Sequence, residues 1–182
     1  MNQTLAVLFA LGALASSAPA ADTVAVGKML DEQIRGAESE IVPLVEAMPA
    51  DRFDFAPTQG EFKNARTFAL QARHIATVIF EVAAASNQEK SPVELGKNEN
   101  GPDSLRSKEE IVKYLKDAFA YAHKSFSTLT AETQVQTVKS PFGSGTVARG
   151  ALASIVAWHS FDHYGQMVVY ARMNGVIPPA SR

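Results

Sequence analysis

The residues of this chain whose type and spacing could do chemistry are its histidines. There are four, and there is no cysteine, so thiolate ligands, disulfides and a nucleophilic thiol are all excluded. His159 and His163 are four apart. On a helix that spacing offsets them by about 40° and about 6 Å, so both imidazoles can face one ion. Counting along the same stretch, Leu152, Ile155, His159, His163, Gln166, Tyr170 and Met173 share a stripe. The pair therefore interrupts an apolar face, where imidazoles are costly unless something satisfies their nitrogens. His74 lies between Leu70 and Val78 on one face of an earlier apolar stretch, again an inward position.

Three inward imidazoles from two helices would fill three positions of a tetrahedral divalent ion and leave the fourth open. The plainer reading of each is a core histidine hydrogen-bonded to a neighbour, the three forming a buried polar cluster without an ion. His123 sits at the edge of its own helix's stripe beside Lys124, and reads as a surface or boundary histidine.

Carboxylates are harder to place near these rings. Glu81 shares a face with His74 but stands about 10 Å further along the axis, too far to share its ion. Asp162 flanks the pair, as an outer partner to an imidazole or an exposed ion-pairing group. Gln166, one turn beyond His163, is aimed to meet a substrate or a buried partner, and Tyr170, another turn along, to close the site. An ion held by three neutral imidazoles keeps its charge. It would act as a Lewis acid or lower the pKa of a water, which is the chemistry of hydrolysis or group transfer. The other reading is a non-catalytic binding protein in which the metal is structural or cargo. Three imidazoles suit several divalent metals, so the metal itself is not legible from the ligands.

The elements that must position these residues are helical. Val26, Leu30, Ile34, Ala37, Ile41, Leu44 and Met48 recur every three or four residues, predicting a first helix over about 23–48 with a kink or late break at Pro43. A loop over 52–62 carries Phe53 and Phe55. A second helix is expected from an N-cap at Asn64 to about Ala85, apolar around most of its circumference and so deeply buried. Ser86 to Arg106 is a polar link of about twenty residues, far longer than a tight helix–helix turn, and able to cross the end of a bundle. Ser107-Lys108-Glu109-Glu110 fits a capping box opening a third helix, with Ile111, Leu115, Ala118, Ala122, Phe126 and Leu129 as its stripe. After a loop over 130–145, Thr146 is placed to cap a fourth helix ending near Asn174, with Gly175 as its stop and Pro178-Pro179 beyond. No strand pattern stands out. The fold class is all-α: a four-helix bundle with a long crossover link between helices 2 and 3.

An apolar fraction of 46% suits one globular domain, and a net charge of −2 leaves no footprint for nucleic acid. Leu5 to Ala15 form an apolar run too short to span a bilayer as a helix. Ala18-Pro19-Ala20 follows it in the small-x-small form of a cleavage site, although the preceding Met1-Asn2-Gln3-Thr4 lacks a lysine or arginine. Residues 1–20 are expected to be a signal peptide and 21–182 the mature domain, periplasmic or secreted.

Several segments together resemble the DinB-like family of bacterial metal-binding four-helix bundles. They are Ala47-Met48-Pro49 with Phe53-Asp54-Phe55-Ala56-Pro57, then Phe68-Ala69-Leu70-Gln71-Ala72-Arg73-His74. The likeness continues in His159-Ser160-Phe161-Asp162-His163-Tyr164-Gly165-Gln166 and ends in Tyr170-Ala171-Arg172-Met173-Asn174-Gly175 with Pro178-Pro179. The resemblance covers nearly all of the mature chain. It implies a long crossover between the second and third helices and a divalent metal, zinc or nickel, on His74, His159 and His163. It also implies frequent dimers and, in some members, transfer chemistry that uses a cytoplasmic thiol. Export would separate this chain from that thiol, leaving a small-molecule substrate unspecified.

Overall fold

The computed structural model describes residues 24–182; the expected signal peptide lies outside them. Four helices account for most of the described chain: α1 (Val26–Ala47), α2 (Phe68–Asn87), α3 (Lys108–Phe126) and α4 (Arg149–Met173). The fold is the expected all-α bundle, with one small addition. Two three-residue strands, β1 (Thr137–Lys139) and β2 (Thr146–Ala148), pair antiparallel before α4. Strands this short carry no readable alternation, which is why the pattern was silent there.

Helix directions follow from cross-contacts. Thr77 meets Tyr114 near the start of α3, while Asn87 meets Ser125 near its end, so α2 and α3 run parallel. Gln71 meets Gln166 and Ser86 meets Arg149, so α4 runs against α2. His123 reaches Asp31 and Lys116 reaches Glu46, so α1 runs against α3. Neighbouring parallel helices require the chain to return along the whole bundle between them. That is what the long link does: it runs the length of α2 instead of crossing one end.

The ends of the helices differ from expectation where loops outcompete side-chain caps. Asn64 does not cap α2; it takes a left-handed turn conformation at φ 68°. Thr67 is the cap, its hydroxyl accepting from the Leu70 amide. The amides of Phe68 and Ala69 donate to the carbonyls of Phe55 and Phe53, so the aromatic loop fixes where α2 begins. Thr146 likewise lies in β2, and the first amides of α4 are met by the carbonyls of Gln136 and Gln134. Pro43 sits inside α1 without ending it. The missing donor falls one turn from the helix end, where Ile41, Leu44 and Val45 bury completely and outweigh one lost bond. The Ser107 capping box is present with both of its bonds. Gly175, at φ 74°, follows α4, and the Val176 amide returns to the Ala171 carbonyl.

Sixteen of the twenty residues of α2 are buried, which makes it the central helix of the core. Among them stand Arg73 and His74, polar groups that such a position tolerates only with partners.

Candidate metal centre

His74 comes from α2, and His159 and His163 come from successive turns of α4. The antiparallel crossing of these helices brings the three rings together, with ligating nitrogens all within 4.8 Å of one another. His74 and His163 are buried and His159 is half-buried. The cluster contains no carboxylate among the described residues.

The link fixes the tautomer of His74. Its Nδ1 lies 2.9 Å from the Glu99 carbonyl oxygen, which can only accept, so Nδ1 carries the proton. Its Nε2 therefore presents a lone pair, and it faces His159 Nε2 at 3.2 Å. Two metal–nitrogen bonds of 2.0–2.1 Å at a tetrahedral angle place their nitrogens about 3.3 Å apart. The Nδ1 atoms of His159 and His163 are buried and unpartnered among the described residues. A ring held by a backbone carbonyl through one nitrogen while the other faces the cluster is the common support of a ligating histidine. The residues present fit a divalent ion.

Electrostatics keep these rings neutral. Burial, then the neighbouring His163 and His74, lowers the pKa of His159 to about 3. Burial, then His74 and Arg66, lowers that of His163 to about 4. His74 is lowered too, mainly by burial, with the Glu99 carbonyl working in the other direction. Neutral imidazoles with available lone pairs are the form a metal requires.

The other expected residues fall around this cluster in different ways. Gln166 is exposed and joins two elements, its Oε1 accepting from Gln71 Nε2 at 2.9 Å. Asp162 is exposed and its polar contact is with Gln166; it makes no hydrogen bond to an imidazole. Tyr170 is buried against Phe55 and lines a neighbouring apolar groove instead of the histidine cleft. Glu81 stays outside the cluster, its carboxyl pushed up to about 7 by burial and then by Glu99. His123 is the boundary residue expected, held between α1 carboxylates: Nδ1 is 2.6 Å from Asp31 and Nε2 3.0 Å from Glu38.

Sequence reasoning missed the clamp that seats the link over α2. Arg66 donates from Nε to Asn100 Oδ1 at 2.9 Å and from Nη2 to the Asn98 carbonyl at 3.0 Å. Arg73 donates to the carbonyls of Gly101 and Pro102. Gly101 passes so close to α2 that a Cβ there would stand 2.7 Å from Thr77 Oγ1, and its φ is 69°. The available signal was Arg73 itself, a charge on a mostly apolar, deeply buried helix that had to find partners.

A cleft of about 400 Å³ opens on the cluster, lined by Asn64, Arg66, Gln71, Asn100, His163 and Gln166 among others. A larger cleft of about 530 Å³, between the end of α2 and the loop after β1, holds none of the histidines. The polar cleft over His163 is therefore the one that reaches the histidine cluster.

Fold and cluster together define a helical bundle with a three-histidine pocket between its second and fourth helices. The DinB superfamily profile matches residues 33–167, and the chain belongs to that superfamily. Solved structures share the fold at low identity. A DinB-like protein from Bacillus cereus aligns with TM-score 0.61 and 16% identity, over 84% of this chain and 95% of the other. A conserved protein from Enterococcus faecalis gives 0.61 and 14%, over 83% and 98%. A DinB-like protein from Bacillus subtilis gives 0.56 and 17%, over 81% and 92%. No curated protein matches the sequence.

Proposed function

We propose that this protein binds one divalent metal ion, zinc or nickel, through His74, His159 and His163, and uses it as a hydrolase or group transferase acting on a small molecule. The observation carrying the metal site is the 3.2 Å separation of the His74 and His159 Nε2 atoms, with His163 in the same cluster and His74 held from behind by Glu99. A divalent ion there supplies Lewis acidity toward an anionic nucleophile or a substrate oxygen. The chain's own residues do the rest. The Glu99 carbonyl keeps His74 in the ligating tautomer, and Gln71 and Gln166 present amide groups to the cleft. The polar lining of that cleft favours an enzyme over a sealed structural site.

One observation favours the non-catalytic reading: among the described residues no carboxylate joins the histidine cluster, so none stands within reach of a shared ion. In that reading the ion is structural or cargo. We further place the protein outside the cytoplasm, on the strength of the apolar run over 5–15 and the Ala18-Pro19-Ala20 exit.

Metal content by plasma mass spectrometry decides the site. The wild type, purified without chelator or a metal-binding tag, is expected to carry near-stoichiometric metal. His74→Ala and His159→Ala/His163→Ala are expected to lose it while keeping a helical circular-dichroism spectrum. Metal retained by both variants, or none in the wild type after reconstitution, removes the proposal.

A further inference from the structure

The cleft over His163 is continuous with an apolar groove. Ala65 and Gln166 line both, and beyond them the surface becomes apolar over about 410 Å³, with Pro57, Phe62, Val169, Tyr170 and Met173 as walls. Phe62, Val169 and Met173 are each 43–55% exposed, large side chains left facing solvent on one side of α4. Scattered exposed apolar residues are ordinary, but three lining one groove beside a reactive cleft call for an occupant.

The polar end sets the charge of that occupant. Arg66 is half-buried, and its Nε and Nη2 are held by Asn100 and Asn98. Among the described residues it makes no ion pair within 4.0 Å, and its Nη1 has no partner. Its positive charge reaches all three histidines, whereas the Asp162 carboxylate acts on His159 and the Glu99 carboxylate acts on His74 and on Arg66 itself without closing to an ion pair. A pinned guanidinium with donors to spare is built to receive a carboxylate or similar anion.

From this continuity we infer that the site takes an anionic amphiphile: an acid group held by Arg66 at the histidine cleft, and an aliphatic or aromatic tail lying in the Phe62–Val169–Met173 groove. The inference rests on the histidine cleft being the reactive site and adds the class of substrate. Arg66 anchors the head. Gln166 marks the junction where head becomes tail, so the bond presented to the histidines lies near the acid end.

The test is calorimetric titration of the zinc-loaded full chain with butyrate, octanoate and octan-1-ol. Each buried methylene is worth about a factor of four, so octanoate should bind at least about tenfold tighter than butyrate even if only half the added chain is covered. Octanoate should also bind at least about tenfold tighter than octan-1-ol, the difference that a charge-assisted bond supplies. Met173→Asp, at an exposed position, should collapse the chain-length preference. Arg66→Gln, which also gives up the bonds to Asn98 and Asn100, is compared at matched zinc content and should erase the preference for octanoate over octan-1-ol. Equal binding of butyrate and octanoate, or an acid preference that survives Arg66→Gln, overturns the inference. So does a dimer by sedimentation that Val169→Asp dissociates and that binds no octanoate, because a second copy then covers the groove. Metal content measured on the same samples separates the two readings. Bound zinc without a length preference keeps the metal site and discards the amphiphile. A length preference without zinc does the reverse.

Discussion

The Nδ1 atom of His74 and the carbonyl oxygen of Glu99 lie 2.9 Å apart, joining the central helix to the link that crosses it. This single bond decides which nitrogen of His74 faces the other two histidines. The link is therefore part of the site, although it contributes no ligating side chain.

Removing the side chain that seats the link should weaken the site without unfolding the bundle. Asn100→Ala deletes the acceptor for Arg66 Nε and frees the turn that presents the Glu99 carbonyl. Zinc affinity, measured by competition with a chromogenic chelator, should fall about 10–100-fold, the usual cost of losing an outer partner of a metal ligand. An unchanged affinity would show that His74 is oriented by packing alone.

Acid should destabilise the metal-free protein through the histidines themselves. The pKa values of His159 and His163 are lowered to about 3 and about 4 in the folded state, against an unfolded value near 6.5. Protonation therefore favours the unfolded chain. The stability that these rings contribute as neutral groups is full above about pH 6.5 and is lost as pH falls through the folded values near 4 and 3. Discounted for partial solvent access, the loss is on the order of 3 kcal/mol for the pair. Urea unfolding of the apoprotein between pH 7 and pH 4 measures it, and His159→Gln/His163→Gln should flatten the profile. An equally steep profile in that variant would move the acid sensitivity elsewhere.

His123 should matter for stability and not for metal. Its ring is held between Asp31 and Glu38, and Asp31 is only 7% exposed, with Arg35 as its other partner. His123→Ala leaves that carboxylate short of a donor, at a cost of about 2 kcal/mol or roughly 4–8 °C in Tm. Metal content should stay at the wild-type level. A variant that melts normally but loses metal would contradict the separation drawn between the two histidine sites.

Much of this molecule was legible because its signals are periodic. Leu30, Ile34, Ala37 and Ile41 mark α1 by spacing alone, and the stripe through His159 and His163 places the pair inward from the sequence itself. The stripe is slightly rotated from the expected one: His163 is buried, His159 half-buried, and Gln166 faces solvent, because Val156, Ser160 and Met167 occupy the centre of the interface. Helix starts were less legible. Asn64 and Thr146 are good capping residues, but loop carbonyls from Phe53, Phe55, Gln134 and Gln136 took the first amides instead. Those partners come from folded loops with no helical period. The Arg66–Asn100 and His74–Glu99 contacts were invisible for a related reason. They join positions 34 and 25 residues apart, through a link whose composition says only that it is polar.

The parallel course of α2 and α3 leaves the chain with slack. The nineteen residues of α3 span about 28 Å. An extended strand could cover that return in roughly nine residues, and the connection has about twice as many. Half its length is surplus to the crossing, and it is gathered over α2 between Gly96 and Pro102, where the pocket's rim is made. Lengthening or rewriting that surplus would alter what the pocket admits while the four helices stay as they are. The bundle can thus be inherited unchanged while its mouth is redrawn, one loop at a time.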